Sequence, residues 1–363
     1  MQPIIRSAAV SVTIRTLAPI ALAMFAGLAV AGPINPPAGP VTSTMKTLSE
    51  VEPRIAINAT NTPGDADATP SMFKITQPGS YYLTGNITGV AGKHGIEIVS
   101  TGVTIDLNGF SLKGVPGTLD GVFVAGNYRG TTIRNGVVSS WGDDGIDAYT
   151  AFGGGRIEGV ISHSNTGDGI RAGIAMTVTT SAATNNQGDG IVTSESCTVI
   201  GCTAYNNTGT GVVAGPGSTV ENCSSMGNNG RGFSADLGST VRGCTATVNG
   251  SDGISCSISC TIQNNTLARN GVLLTNGAGI YVTGNDNRIE GNNCSGADIG
   301  LDIAASGNII MKNTCSGNTN NWSIVAGNAV APIVNAGTNA ASINGNSYTG
   351  GLGSTDPNAN FTY

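Results

Sequence analysis

Phe123, Asp143, Asp147, Tyr149 and Arg171 are the residues whose types and spacing best suit chemistry on a ligand. Phe123, Asp147 and Arg171 lie at steps of 24, so a repeat of about that length would stack them on one face. Aromatic rings cover the apolar faces of pyranoses, and a few convergent polar groups fix orientation. A guanidinium can fork onto a uronate carboxylate. Asp147 would serve as general acid or base, with Asp143 as its partner. The plain alternative is an exposed Asp147–Arg171 ion pair, which adds little to stability.

The elements that must position these residues are written as a repeat. Gly95, Gly121, Gly145, Gly169, Gly190, Gly211, Gly232, Gly253, Gly279 and Gly300 each sit in a triplet like Asp-Gly-Ile. Most steps between them are 21 residues, the early ones 24 to 26. The column Ile157, Val178, Val199, Val220, Val241, Ile262 keeps a strict step of 21. The 26-residue step after Gly253 places a five-residue insertion in "GVLLTNGA". Short alternating β-branched runs at this period predict one coil of a β-solenoid, with coils about 4.8 Å apart. About ten coils are expected. Ala183, Ala204, Ser225, Ala246 and Leu267 should point inward, and His163, Thr184, Tyr205, Met226 and Thr247 outward.

The residue before each glycine is Asp120, Asp144, Asp168, Asp189, Thr210, Arg231, Asp252 or Ala278. Aspartate before glycine is turn chemistry: the carboxylate accepts backbone N–H groups and the glycine takes φ > 0. Stacked carboxylates repel unless a cation or a proton lies between them. A Ca²⁺ site at Asp144, Asp168 and Asp189 is therefore the functional alternative. Asn165, Asn186, Asn207, Asn228, Asn249 and Asn270, all 21 apart, form an amide ladder that satisfies the turns. Cys202, Cys223 and Cys244 occupy another column, read as buried thiols. Cys294 with Cys315, or Cys256 with Cys260, is a disulfide candidate. With only His94 and His163 in the chain, no histidine metal site is expected.

The stacked Asp-Gly-Ile turns and the Asn column resemble a right-handed parallel β-helix of the pectate-lyase-like superfamily. The stretches "ITQPGSYYLTGNITG", "GVTIDLNGFSLKG", "TIRNGVVSSWGDDGID" and "STDPNANFTY" are similar to a group of secreted bacterial β-helix repeat proteins. The resemblance implies the fold. It leaves activity open, since this fold serves lyases, hydrolases, epimerases and proteins without catalysis. "GDD" at 142–144 resembles the paired aspartates of polygalacturonases. The companion His and Arg-Ile-Lys elements are missing, and "RIE" at 156–158 is a poor substitute. The Asp-Pro-His signature of mannuronate epimerases is absent.

Charged residues are only 10% of the chain and the net charge is −6, which speaks against a nucleic-acid partner. Residues 1–31 read as a signal peptide, with an apolar run Leu17–Val30 and Ala29-Val30-Ala31 at its end. The mature chain is then expected to be secreted, periplasmic or on the cell surface, with no membrane span. Residues 32–70 read as a Pro/Gly linker and N-terminal cap, 71–322 as the β-helix, and 323–363 as a C-terminal cap. The first functional expectation is binding or processing of a polysaccharide or cell-surface glycan, by a lyase or glycoside hydrolase if catalytic. The alternative is a non-catalytic structural or adhesive surface protein.

Overall fold

A computed structural model describes residues 52–271, 273, 277–336 and 351–363. The signal segment 1–31, most of the linker and part of "GVLLTNGA" lie outside them. Among the described residues all regular structure is strand, and no helix is long and apolar enough to cross a membrane. The strands are parallel and stack coil on coil in two sheets. The first sheet has 12 strands, from Ser71–Ile75 to Asn320–Ile324. The second has 24, because Thr132–Ser139 and Arg156–His163 each run through both remaining faces and join them.

Twelve coils rather than ten follow from the ends. The coils of Ser71–Ile75 and Asn320–Ile324 lack the glycine triplet, so the period does not mark them. At the N-terminal end Ile55–Ala56 pairs with Gly79–Tyr82. At the other end Asn360–Thr362 pairs with both Thr314–Ser316 and Ile333–Asn335, so the closing "NFT" takes the place of a coil strand.

Between Arg156 and Ile262 the register is the one the 21-residue period dictates. Ile157, Val178, Val199, Val220, Val241 and Ile262 are Cα partners in succession, and all are fully buried. Alternation along each short strand puts one β-branched side chain in and its neighbours out. Tyr205 and Met226 accordingly stand exposed beside buried Ala204 and Ser225.

The turns are held by side-chain ladders. Asn165 Nδ2 donates to Asn186 Oδ1 at 2.9 Å, and the same bond recurs through Asn207, Asn228, Asn249 and Asn270 at 2.9–3.0 Å. Each Oδ1 also accepts the backbone N–H of the preceding asparagine. A second ladder runs through Asn265, Asn292, Asn313 and Asn360, continuing the cysteine column. There the Cys202 and Cys223 amides lie 3.4 Å from the next thiol, and Cys244 N–H donates to Asn265. All eight cysteines are buried free thiols. The disulfide candidates Cys294–Cys315 and Cys256–Cys260 are thus replaced by thiols; the former pair are Cα partners in adjacent parallel coils, so both side chains project the same way.

The triplet glycines correct the sequence expectation. Gly121, Gly145, Gly169, Gly190, Gly211, Gly232 and Gly253 are not among the residues of positive φ. Close approach requires them instead. A Cβ on Gly190 would lie 2.5 Å from the Gly211 carbonyl oxygen and 2.8 Å from Asn207 Nδ2. Gly190→Ala should therefore cost about 1–3 kcal/mol through overpacking, read as a lowered urea midpoint with an unchanged slope.

Candidate functional site

The pre-glycine residues open the strands of the first sheet. Each aspartate uses Oδ1 to accept the N–H of the equivalent residue one coil on. Asp144 N donates to Asp120 at 2.9 Å, Asp168 N to Asp144 at 2.6 Å, and Asp189 N to Asp168 at 2.7 Å. Thr210 N donates to Asp189 in the same way. The aspartates are ladder residues, and their second oxygens remain for other work.

His94 heads this column. Its Nδ1 is 3.1 Å from Asp120 Oδ2 and 3.2 Å from the Asp120 amide nitrogen. Nδ1 accepts from the amide when it carries no hydrogen and donates to the carboxylate when it does. The ring stacks on Phe123, with centroids 4.4 Å apart and planes at 11°.

The outward row of the first sheet runs Glu97, Phe123, Asp147, Arg171, Val192, Val213, Ser234, Ser255, Tyr281. Phe123, Asp147 and Arg171 are neighbours in it. Arg171 is engaged by three carboxylates, not one: Asp144 at 3.1 Å, Asp168 at 3.5 Å and Asp147 at 3.6 Å. Its guanidinium also lies 4.8 Å over the Tyr149 ring. The simple exposed ion pair is therefore replaced by a partly buried charge cluster. Asp147 Oδ1 accepts the Tyr149 N–H at 3.0 Å, which fixes both residues after the strand starts.

Burial pushes the Asp144 carboxyl up to about 7; the charges of Asp168 and Asp120 add to this, and the Asp168 N–H and Arg171 oppose it. Asp147 and Asp168 are raised chiefly by burial as well. Asp143, the most exposed of the set, is raised by the covered part of its carboxyl and by Asp120 and Asp147. Arg171 stays firmly charged against its own burial, held by Asp147 and Asp144. Burial, with like charges beside it, is what lets Asp144 hold a proton toward neutral pH.

Two groups of carboxylates, among the described residues, can meet on one cation: Asp120, Asp143 and Asp144, and Asp65, Asp67 and Glu97. The second group already holds a cation, the Lys74 ammonium, at 2.6, 2.7 and 3.2 Å. The first offers one carboxylate oxygen from each of three residues, so Ca²⁺, which takes six to eight, would need second carboxylate oxygens or waters as well. Of the expected Asp144, Asp168 and Asp189, this group contains Asp144; all of these aspartates, with Asp120, accept the next coil's amide.

Tyr149 also begins a groove of about 450 Å³ that runs over Val192, Val213, Ser234 and Ser255 toward Thr283. Glu195, Arg231 and Asp236 line its sides. The sequence reading missed His94 and Asp120 as members of the site. The signal was present, because His94 stands before Gly95 in the same column as Asp120 and Asp144.

The family described as "Right handed beta helix region" matches residues 120–267. Comparison with curated protein sequences returns no match. Among solved structures, the A-module of the Azotobacter vinelandii mannuronan C-5 epimerase AlgE6 is similar at a TM-score of 0.60 and 16% identity. That similarity covers 77% of this chain and 88% of that one. The Dettilon tailspike protein is similar at a TM-score of 0.52 and 15% identity, covering 76% of this chain and 68% of that one. At such identities the likeness is one of fold. The fold is that of a right-handed parallel β-helix.

Proposed function

We propose that this chain is an exported protein that binds and processes an extracellular polysaccharide along the first sheet. The observation that carries the reading is one convergence. His94–Asp120, Asp144, Asp147 and Arg171 meet between two aromatic residues, Phe123 and Tyr149, and Tyr149 opens the groove. The sugar rings would stack on Tyr149 and Phe123 while Asp147, with Asp143 beside it, moves a proton at the sugar. Asp144, near neutral, keeps a proton available. Arg171 holds the carboxylates together and offers its remaining donors to a uronate group. A divalent cation at Asp120, Asp143 and Asp144 would take over part of that charge compensation. The reaction class that fits is lyase or glycoside hydrolase chemistry.

The neutral row Val192, Val213, Ser234 and Ser255 favours the second reading, a rigid non-catalytic surface spacer. A glycan array separates the two. The mature protein is expected to bind at least one polysaccharide, and Tyr149→Ala to weaken that binding about tenfold, the order of a lost aromatic contact. Binding unchanged in Tyr149→Ala, or no binding at all, supports the spacer.

A further inference from the structure

A second cavity, of about 530 Å³, lies over the other sheet. Its floor is two outward rows. Thr104, Thr132, Arg156 and Thr177 are Cα partners in succession, and Asp106, Arg134 and Glu158 form the adjoining row. Gly154, Gly155 and Ala175 wall it.

The turn that makes this wall is an irregularity of the repeat. The step from Gly145 to Gly169 is 24 residues rather than 21, and "FGGGR" at 152–156 occupies the longer turn. Gly153 and Gly154 have φ of 70° and 78°, which few other residues adopt. A Cβ on Gly155 would lie 2.6 Å from Met176 Cε and from the Thr131 carbonyl oxygen. The strand before it slips register: Ala148 faces Ala172, but Phe152 faces Ile174.

The guanidiniums here are incompletely used. Arg134 reaches Asp106 at 3.1 Å, and its Nε is closed off from solvent without an acceptor. Asp106 is itself shared with Arg54. Among the described residues Arg156 pairs with Glu158 alone, at 3.2 Å, and 58% of its side chain is exposed. Phe152 stands exposed two residues before Gly154, with the Arg129 guanidinium 5.1 Å over its ring. Two guanidiniums over a row of threonine hydroxyls suit a planar or tetrahedral oxyanion. An exposed aromatic at the neighbouring turn suits the sugar that carries it.

We propose that this pocket binds an oxyanionic substituent, carboxylate or sulfate, of a glycan chain. Arg156 and Arg134 supply the counter-charge, Thr104, Thr132 and Thr177 donate hydroxyls, and Phe152 meets the ring. The site is on a different sheet from Arg171 and stands whether or not the groove binds anything.

Isothermal titration calorimetry on the whole protein tests it, with four probes: a polyuronate oligosaccharide, a sulfated oligosaccharide, a neutral oligosaccharide of equal length, and sodium sulfate. At least one anionic oligosaccharide should bind and the neutral one should not. Arg156→Gln should weaken that binding about tenfold, the order of a lost charge-assisted hydrogen bond. Glu158→Gln should strengthen it by freeing Arg156. Equal binding of the neutral probe, no binding by any probe, or no effect of Arg156→Gln overturns the proposal. Sodium sulfate binding as tightly as the sulfated oligosaccharide overturns the glycan assignment. Loss in Tyr149→Ala but not in Arg156→Gln places the binding in the groove, which overturns this proposal and leaves the first one standing.

Discussion

Asn228→Leu should cost the fold about 3–5 kcal/mol, the order expected for stranding several buried polar groups. Asn228 Oδ1 accepts from both the amide and the side chain of Asn207, each at 2.9 Å. Its Nδ2 donates to Asn249 at 3.0 Å and to Ser225 Oγ at 2.9 Å. Leucine fills the volume and meets none of these groups. Water cannot replace the amide, because Asn207, Asn228 and Asn249 are almost fully buried. Chemical denaturation should show the loss directly. Asn228→Ala leaves the same groups unmet with less crowding, so a similar loss there assigns the effect to hydrogen bonding. Near-native stability in both variants would mean the ladder is ornamental.

Arg171→Met should destabilise the protein by about 2–4 kcal/mol at pH 8, toward the lower part of the range for breaking a buried pair, and by little at pH 4. The guanidinium is the cationic partner of Asp144, Asp147 and Asp168. Asp144 has its carboxyl raised to about 7 in the fold, chiefly by burial. The folded state therefore binds that proton more tightly than the unfolded chain does. Stability from this source is complete below the ordinary carboxylate range and is lost as pH rises through about 7. Asp147 and Asp168 are raised too, so they act in the same direction. Removing Arg171 lifts all three further and steepens the loss. Thermal melts from pH 4 to 8 check this: the gap between Arg171→Met and the native protein should widen with pH. A gap independent of pH would mean that Arg171 acts through packing alone.

The coil was legible because its period is strict where its physics is strict. Inward Val and Ile at steps of 21, and the buried amides of Asn165 to Asn270, are each repeated contact for contact. The triplet glycine was legible as a position but not as a cause. Sequence cannot distinguish a glycine needed for φ > 0 from Gly190, needed because the next coil's carbonyl is too near. The second ladder, Asn265 to Asn360, was hidden by cysteines upstream and by a 47-residue gap before its last member. At the site, the outward row placed Phe123, Asp147 and Arg171 together because parallel stacking without offset preserves a column. What Arg171 binds was not legible. Its three partners come from the pre-glycine and outward positions of different coils, and only the shape of the turn brings those columns within reach. His94 was overlooked because a histidine among aspartates breaks the pattern of residue type while keeping the column.

The most direct test of the account is turnover of a polysaccharide panel, uronate-rich and neutral, by the mature protein and by Asp147→Asn. The account predicts that the native protein releases new chain ends from at least one substrate. Asp147→Asn should still bind that substrate but lose turnover by about two orders of magnitude or more, as expected on removing a general acid or base. Binding without turnover in the native protein, or turnover undiminished in Asp147→Asn, would contradict it.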